Sequence, residues 1–248
     1  MKIQSKVFGE IIFNFKGILF KNQDIISGEE LVECEIVSKK TKKIFNDLKK
    51  LRKLNNIYYL WDYNNEFKRL IYEYKYNRKK ILVKFISEII KKEFYFILKK
   101  EKIDIVVSVP VSKKRKSERG FNQVDEILNY LEIKYCKIKR TKNTKKMALI
   151  LDEEKRKKNI KGAFEISEGI DFNNKNILIV DDIVTTGATL KEIKNEILQS
   201  SKIKNLNIVV FCIAAAKELK DKYEQIKIKN DSSVIYNWYN SFFFKRKK

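Results

Sequence analysis

Histidine is absent from the 248 residues, proline occurs once, glycine seven times and cysteine three times. Each shortage excludes something. Without histidine no side chain ordinarily titrates near neutral pH and no imidazole is available to a metal, so proton chemistry falls to Asp, Glu, Lys, Tyr or water. Cys34, Cys136 and Cys212 lie far apart with no CxxC pair. That spacing indicates neither a zinc site nor a disulfide framework and fits a reducing cytoplasm, the expected compartment. No apolar run is long enough to cross a bilayer, and Glu10, Asn14 and Lys16 interrupt the N-terminal apolar residues where a signal peptide needs a continuous core. The Walker phosphate loop and the glycine-rich dinucleotide fingerprint are missing as well.

What the chain does have is positive charge: 55 Lys and Arg against 32 Asp and Glu, a formal net charge of +23. Such a surface attracts nucleic acid, nucleotide phosphates or an acidic membrane face. The excess is spread along the whole length and accompanies abundant Ile and Asn, the signature that codon usage in an AT-rich genome also produces. Both origins stay open at this level.

The most informative stretch is Ile177-Leu178-Ile179-Val180-Asp181-Asp182-Ile183-Val184-Thr185-Thr186-Gly187-Ala188-Thr189. Four consecutive branched apolar residues predict a strand covered on both faces, as in a parallel sheet. Gly187 and Ala188 let the backbone approach a ligand closely. Thr185, Thr186 and Thr189 set hydroxyls beside main-chain N–H groups at a helix start, an arrangement that favours phosphate. Leu190, Ile193, Ile197 and Leu198 then recur at helical spacing, and Ile208 to Ile213 reads as a second strand. Strand, turn, helix and strand make a βαβ crossover, with ligands expected at the carboxyl end of the first strand, where Asp181 and Asp182 stand. Carboxylates facing a phosphate would repel it, so the pair is expected to accept hydrogen bonds from sugar hydroxyls or to act through a divalent cation. The plain alternative is an Asp-Asp turn closing a strand.

The pattern hydrophobic-Asp-Asp-x-x-Thr-Thr-Gly-x-Thr resembles the signature of type I phosphoribosyltransferases, which bind 5-phosphoribosyl-1-pyrophosphate (PRPP). A second block, Val109-Pro110-Val111 followed by Lys113-Lys114-Arg115-Lys116 and Glu118-Arg119-Gly120-Phe121-Asn122-Gln123, resembles the competence protein ComF family. Two further blocks agree: Tyr59 to Tyr76 with Glu66, Arg69, Leu70, Ile71 and Lys75, and Arg140-Thr141 through Arg156, Asn159, Gly162, Ala163 and Phe164. The resemblance covers residues 58–215. It implies an α/β fold, a type I phosphoribosyltransferase-like parallel sheet flanked by helices, with a small, mostly helical N-terminal lobe. The lobe is expected over residues 1–57 and the phosphoribosyltransferase-like domain over 58–248. Family members usually carry a zinc ribbon of paired cysteines in the lobe, whereas only Cys34 precedes residue 100 here, so no zinc is expected. Met147 stands where many relatives have a glutamine.

The resemblance also implies roles. Asp181 and Asp182 would be the catalytic pair, holding the ribose hydroxyls directly or through Mg2+. Thr185, Thr186, Gly187, Ala188 and Thr189 would hold the 5-phosphate, and Ser112, Lys113 and Arg119 the pyrophosphate, with the arginine engaging two oxygens in a fork. Ser112 to Arg119 reads as a basic loop. Arg140, Thr141 and Arg156 look like positions of a mobile lid, against the alternative of a plain lysine-rich connection. The implied function is a PRPP-binding, phosphoribosyltransferase-like protein with Mg2+-dependent transfer and pyrophosphate release, set in bacterial natural competence and DNA uptake. Its implied partners are single-stranded DNA and a helicase-like protein. The alternative is a non-catalytic nucleotide sensor or a single-stranded DNA-binding adaptor. No segment declares the acceptor; Trp61, Tyr72, Tyr74 and Tyr76 are candidates to stack on bases, with core packing the competing use.

Elsewhere, Tyr58 to Trp61 reads as a strand, Glu66 to Tyr76 as a helix with Phe67, Leu70, Ile71 and Tyr74 inward, and Ile81 to Lys99 as a longer helix. Ile103 to Val109 forms a strand ended by Pro110 and is expected beside Ile177 to Val180, with another helix from Phe121 onward. In the lobe, Ile44, Leu48 and Leu51 recur at spacing near four. Val7, Ile11, Phe15 and Leu19 form an N-terminal apolar stripe suited to core packing, and the aromatic run Trp238 to Phe244 reads as a terminal strand or docked tail.

Overall fold

The computed structural model describes residues 23–32, 35–76, 80–142, 160–166, 169–200 and 206–221. The N-terminal stripe, Cys34, Met147, Arg156 and the C-terminal aromatic run lie outside the described residues. The chain divides into two compact units, 1–48 and 49–248. The expected boundary after residue 57 lies nine residues further along, and the intervening piece is used by the larger unit: Arg52–Leu54 pairs in its sheet.

In the smaller unit the organising group is a buried carboxylate. Asp24, 2% exposed, accepts the N–H groups of Ile26 (2.8 Å), Ser27 (2.7 Å) and Ser38 (2.6 Å) and the hydroxyl of Thr41 (2.6 Å). Ser38 in turn accepts the N–H of Thr41 at 3.1 Å and so caps helix α1, Lys39–Leu48. The helix turns Thr41 and Phe45 inward and leaves Leu48 exposed, so the face expected from Ile44 and Leu48 is rotated. The hydroxyl of Thr41 explains the shift, because Asp24 claims it.

The larger unit is built on a six-stranded sheet in the order β1-β2-β8-β7-β3-β4, with β1 (Arg52–Leu54), β2 (Ile57–Asp62), β3 (Ile105–Ser108), β4 (Cys136–Lys137), β7 (Asn176–Val184) and β8 (Asn207–Ala215). Only β1 runs antiparallel to its neighbour; β2, β8, β7, β3 and β4 are mutually parallel. A separate antiparallel pair joins β5 (Lys139–Arg140) to β6 (Phe164–Glu165). Among the described residues the helices of this unit are α2 (Asn65–Lys75), α3 (Leu82–Lys100), α4 (Lys113–Arg119), α5 (Gln123–Tyr130) and α6 (Ala188–Ser200). Asn64 caps α2 by accepting the N–H of Phe67 at 3.0 Å, and Phe67, Leu70, Ile71 and Tyr74 form its buried face as expected. Ile105 to Ser108 lie opposite Ile177 to Val180, again as the apolar runs require.

Ser112 to Arg119 is a helix rather than a loop. Ser112 accepts the N–H of Arg115 at 3.3 Å to start α4, and Gly120, at φ +86°, closes it in a left-handed turn that glycine adopts without strain. The density of lysine hid a short helix with both caps in place. Strand β7 also runs further than the apolar stretch alone suggests, through the aspartates to Val184, which pairs with Ala215.

These connections place a crevice. From β7 the chain crosses through α6 to β8 on one side, and from β3 it crosses through α4 and α5 toward β4 on the other. The strand order therefore reverses between β7 and β3, the point at which open α/β sheets take ligands, beyond the strand carboxyl ends.

The four hydrogen bonds to Asp24 make its removal costly. Burial by itself would raise its carboxyl, but the bonds from Thr41, Ser27, Ser38 and Ile26 outweigh burial and hold it below the ordinary carboxylate range. The stabilisation is accordingly present above that range and lost as pH falls through the lowered value. Asp24→Ala should destabilise this unit by about 2–3 kcal/mol, read as faster hydrogen exchange at the amides of Ser38 and Thr41. Unchanged protection of those amides would remove Asp24 as the organising group.

Candidate functional site

Successive side chains of a strand point to opposite faces, and that rule separates the two aspartates. Asp181 follows Ile177 and Ile179, on the face that packs into the core with Val107, Val210 and Cys212. Asp182 follows Leu178 and Val180 on the other face. There its Oδ2 meets Lys75 Nζ at 2.6 Å, with the two side chains only 14% and 13% exposed. The main-chain N–H of Asp182 donates to Asp181 Oδ1 at 2.8 Å, so the pair is tied through its own backbone.

The two carboxyl groups consequently differ. Burial, and secondarily the charge of Asp182, push Asp181 far above the ordinary carboxylate range, against the opposing pull of the Asp182 N–H, Lys75 and Arg140. Its cross-strand neighbour Cys212 is fully buried and is pushed up in the same way, by burial first and then by the two aspartates. Asp182 has a cation in contact instead.

Both aspartates open on a cavity of about 580 Å³, shared with Thr185, Thr189, Arg119 and Arg140. The turn after β7 reaches it through Thr185 and Thr189, and between them Gly187, at φ +75°, accepts the N–H of Lys191 with its carbonyl to begin α6. The Thr186 hydroxyl is buried with no hydrogen-bond partner among the described residues. A buried, unsatisfied hydroxyl at the head of a helix is an exception that calls for a ligand or water.

Arg119 is 8% exposed. One guanidinium nitrogen donates to Gln123 Oε1 at 2.9 Å and the other to the Tyr76 hydroxyl at 3.4 Å, with the group 5.1 Å from the centre of the Tyr76 ring. Its Nε has no partner among the described residues and stays available. Asn122 anchors the same corner: its amide donates to the Val109 carbonyl at 3.1 Å and to Asp125 at 3.0 Å, while its oxygen accepts the Val124 N–H at 3.1 Å. The Arg119-to-Gln123 block is thus largely a scaffold for the loop after β3.

Ser112 and Lys113 fall elsewhere. The Ser112 hydroxyl is spent on capping α4, and Lys113 lines an adjoining cavity of about 520 Å³ together with Lys116, Lys137 and Lys139. Arg140 is common to both cavities; it donates to the Pro110 carbonyl at 3.3 Å and stacks its guanidinium on Phe164. Burial, reinforced by Arg115, lowers it to about 10. Thr141 binds the far strand of its hairpin, donating its N–H to Ala163 at 2.9 Å and its hydroxyl to Gly162.

Residues that sequence reasoning left without a role also come to the cavity. Lys75, quoted only within a family block, is the ion-pair partner of Asp182, and Arg115, one of a basic run, lines the wall. Burial and then the charge of Arg119 lower the Arg115 guanidinium. Tyr63, Tyr72 and Tyr76 line it too, whereas Trp61 and Tyr74 are 1% and 0% exposed and belong to the core. A signal for Lys75 existed in the recurrence of Lys68, Tyr72 and Lys75 along one stripe of α2 that flanks its apolar face.

Residues 76–242 match the phosphoribosyl transferase domain family. The chain belongs to that family. This phosphoribosyltransferase domain is 30% identical over 148 residues to the DNA utilization protein YhgH of Escherichia coli strain K12, covering 56% of this chain and 64% of the relative. It is 30% identical over 146 residues to competence protein ComFC of Streptococcus pneumoniae, covering 54% and 58%, so the resemblance to the ComF family holds. Among solved structures, adenine phosphoribosyltransferase from Saccharomyces cerevisiae aligns with a TM-score of 0.39 at 16% identity, over 75% of this chain and 94% of that one. Among the described residues no helix is long and apolar enough to cross a membrane.

Two stability changes follow from the divided aspartates. Because burial raises the Asp181 carboxyl above its value in the unfolded chain, stability falls as pH rises from the ordinary carboxylate value toward the raised one. Asp181→Asn should therefore raise the thermal midpoint at about pH 8 by roughly 2–4 °C, with the gain disappearing in acid where the wild-type group is protonated in both states. A midpoint that drops would contradict the unfavourable burial of this carboxylate. Lys75→Met should cost about 3 kcal/mol by leaving Asp182 buried without its cation, and adding Asp182→Asn should restore part of that loss in a denaturant titration.

Proposed function

We propose that the crevice binds PRPP and that the protein is a ComF-type phosphoribosyltransferase with a role in DNA uptake. The observation that carries this reading is the meeting, in one cavity at the switch point of the sheet, of the Asp181-Asp182 pair, Thr185 and Thr189 of the turn, the buried Arg119 and the half-buried Arg115 and Arg140. The aspartates suit ribose hydroxyls. Asp182 is an acceptor fixed by Lys75, and Asp181, when protonated, also donates. The turn suits the 5-phosphate, with the unpartnered Thr186 hydroxyl and the N-terminus of α6 as donors. Arg119 Nε, Arg115 and Arg140 suit the pyrophosphate, whose charge offsets their mutual repulsion. Lys113, from the adjoining cavity, extends the same positive field.

In the transfer, the lone pair of an acceptor forms a bond to C1 of the ribose. The C1–O bond to pyrophosphate breaks, and its electron pair leaves with that group. Positive charge developing at C1 is favoured by Asp182 beside the ribose. Toward Mg2+ the residues that would supply hard oxygen are Asp182, through the oxygen that does not meet Lys75, and Asp181 once its proton is released, and an ion that keeps several waters and takes phosphate oxygens needs no third acidic side chain. When bound, Mg2+ would neutralise the leaving pyrophosphate. Of the three positions that the resemblance assigns to a lid, Arg140 lines both cavities and Thr141 the adjoining one, and Arg156 lies outside the described residues.

A second reading is that the fold binds nucleotides or single-stranded DNA without turnover. It is favoured by the row of Lys113, Lys116, Lys137 and Lys139 on the adjoining cavity and by the names of the relatives, which refer to DNA utilization and competence. A helicase-like partner and a cytoplasmic setting belong to either reading.

Calorimetry with PRPP and Mg2+ tests the site. Asp181→Asn with Asp182→Asn should weaken binding by at least about tenfold, and equal affinity in the two proteins would remove it. Pyrophosphate release over a panel of bases, measured beside the salt dependence of oligonucleotide binding, separates the readings: turnover supports the enzyme, and a steep salt slope without turnover supports the adaptor.

A further inference from the structure

We propose that the solvent-facing side of α2, formed by Lys68, Arg69, Tyr72 and Tyr76 with Tyr63 beside it, is the acceptor half of the cavity and takes a planar, negatively charged molecule such as a heteroaromatic carboxylate. The proposal rests on the reading that the other half holds an activated ribose. All five residues line the cavity that contains the aspartates.

Two exposed tyrosines set the shape. The apolar side of α2 is already complete in Phe67, Leu70, Ile71 and Tyr74, so Tyr72 and Tyr76, at 55% and 44% exposure, are not an overflow of the core. Their ring centres are 5.2 Å apart with planes tilted by 40°. Tyr76 is held in place, since Arg119 lies against its ring and donates to its hydroxyl. A positioned pair of rings at a cavity mouth offers a flat apolar wall that stacks on any planar π system.

Charge sets the sign. Among the described residues, Asp181 and Asp182 are the acidic side chains that line the cavity, and Asp182 is matched by Lys75 of α2 itself. Arg119 is engaged by Gln123 and Tyr76, and Arg140 by the Pro110 carbonyl. Lys68 and Arg69 form no ion pair among the described residues; Lys68 rests 5.6 Å from the Tyr63 ring centre. The α2 wall therefore combines π surface with two cations outside any ion pair among the described residues, and the carboxylate that meets α2, Asp182, already has Lys75 as its counter-charge. An amine acceptor would be repelled, a neutral base would gain stacking alone, and a planar anion gains both stacking and charge-assisted hydrogen bonds.

Titration of the full-length protein with orotate against uracil, and with pyridine-3-carboxylate against pyridine-3-carboxamide, separates charge from shape. The carboxylates should bind about tenfold more tightly than their uncharged counterparts, and the preference should shrink in Lys68→Ala and Arg69→Ala. Tyr72→Ala should weaken all four ligands by about tenfold while Tyr72→Phe retains them. Equal affinity within each pair, or a preference that survives both cation substitutions, overturns the proposal. A parallel PRPP titration keeps the two ideas apart: PRPP binding without carboxylate preference sinks the acceptor wall alone. Carboxylate preference without PRPP binding sinks the ribose reading and, with it, the acceptor role. Displacement of the carboxylates by oligothymidylate with a steep salt dependence would reassign the wall to a nucleic-acid strand and equally overturn it.

Discussion

The alternation of side chains along one buried strand sends two adjacent carboxylates into unlike surroundings, and the candidate site depends on that division. Strand β7 lies within the sheet with apolar neighbours on both faces, and the aspartates at its end are half-buried where it opens on the cavity. Asp181 continues the core face and is driven toward its protonated form by burial. Asp182, one residue on, is turned to the opposite face, where Lys75 supplies a counter-charge. A pair of identical residues thereby offers two chemistries, an acceptor held by a cation and a carboxyl that burial inclines to keep its proton.

Around this pair the remaining elements position charge of the other sign. The loop after β3 is held by Asn122, which grips the Val109 carbonyl and caps α5 at once. Gly120 ends α4 and turns the chain so that Arg119 packs beneath Tyr76. The hairpin of β5 and β6 brings in Arg140 from the far side. Each arginine is buried enough that its charge acts in a weakened dielectric, which strengthens its pull on an anion and raises the cost of leaving it unmatched.

Much of this was legible in the order of residues. Apolar periodicity located β2, α2, α3, β3, β7 and β8 within a residue or two at most ends, since fully buried strands and amphipathic helices leave strong signatures. The neighbouring of β3 and β7 also followed from their apolar character. The short elements did not yield in the same way. Helix α4 has seven residues and no apolar face, so lysine density made it read as a loop although Ser112 and Gly120 mark both ends. In the smaller unit, the spacing of Ile44 and Leu48 pointed to one helical face while the hydrogen bond from Thr41 to Asp24 imposed another. A polar contact seventeen residues apart leaves no periodic trace.

The sequence by itself determined the family, the α/β class, the acidic pair and the hydroxyl-rich turn that follows it, because each resides in a contiguous run whose meaning is local. Only the tertiary structure decided which charges face that pair. Lys75, Arg115, Arg119 and Arg140 come from three separate segments. Folding selects them from 55 basic residues by strand order and helix rotation, which no one-dimensional pattern encodes. It likewise divided the aromatic residues, sending Trp61 and Tyr74 inward and leaving Tyr72 and Tyr76 at the cavity, since the rotation of α2 is set by what its apolar face packs against.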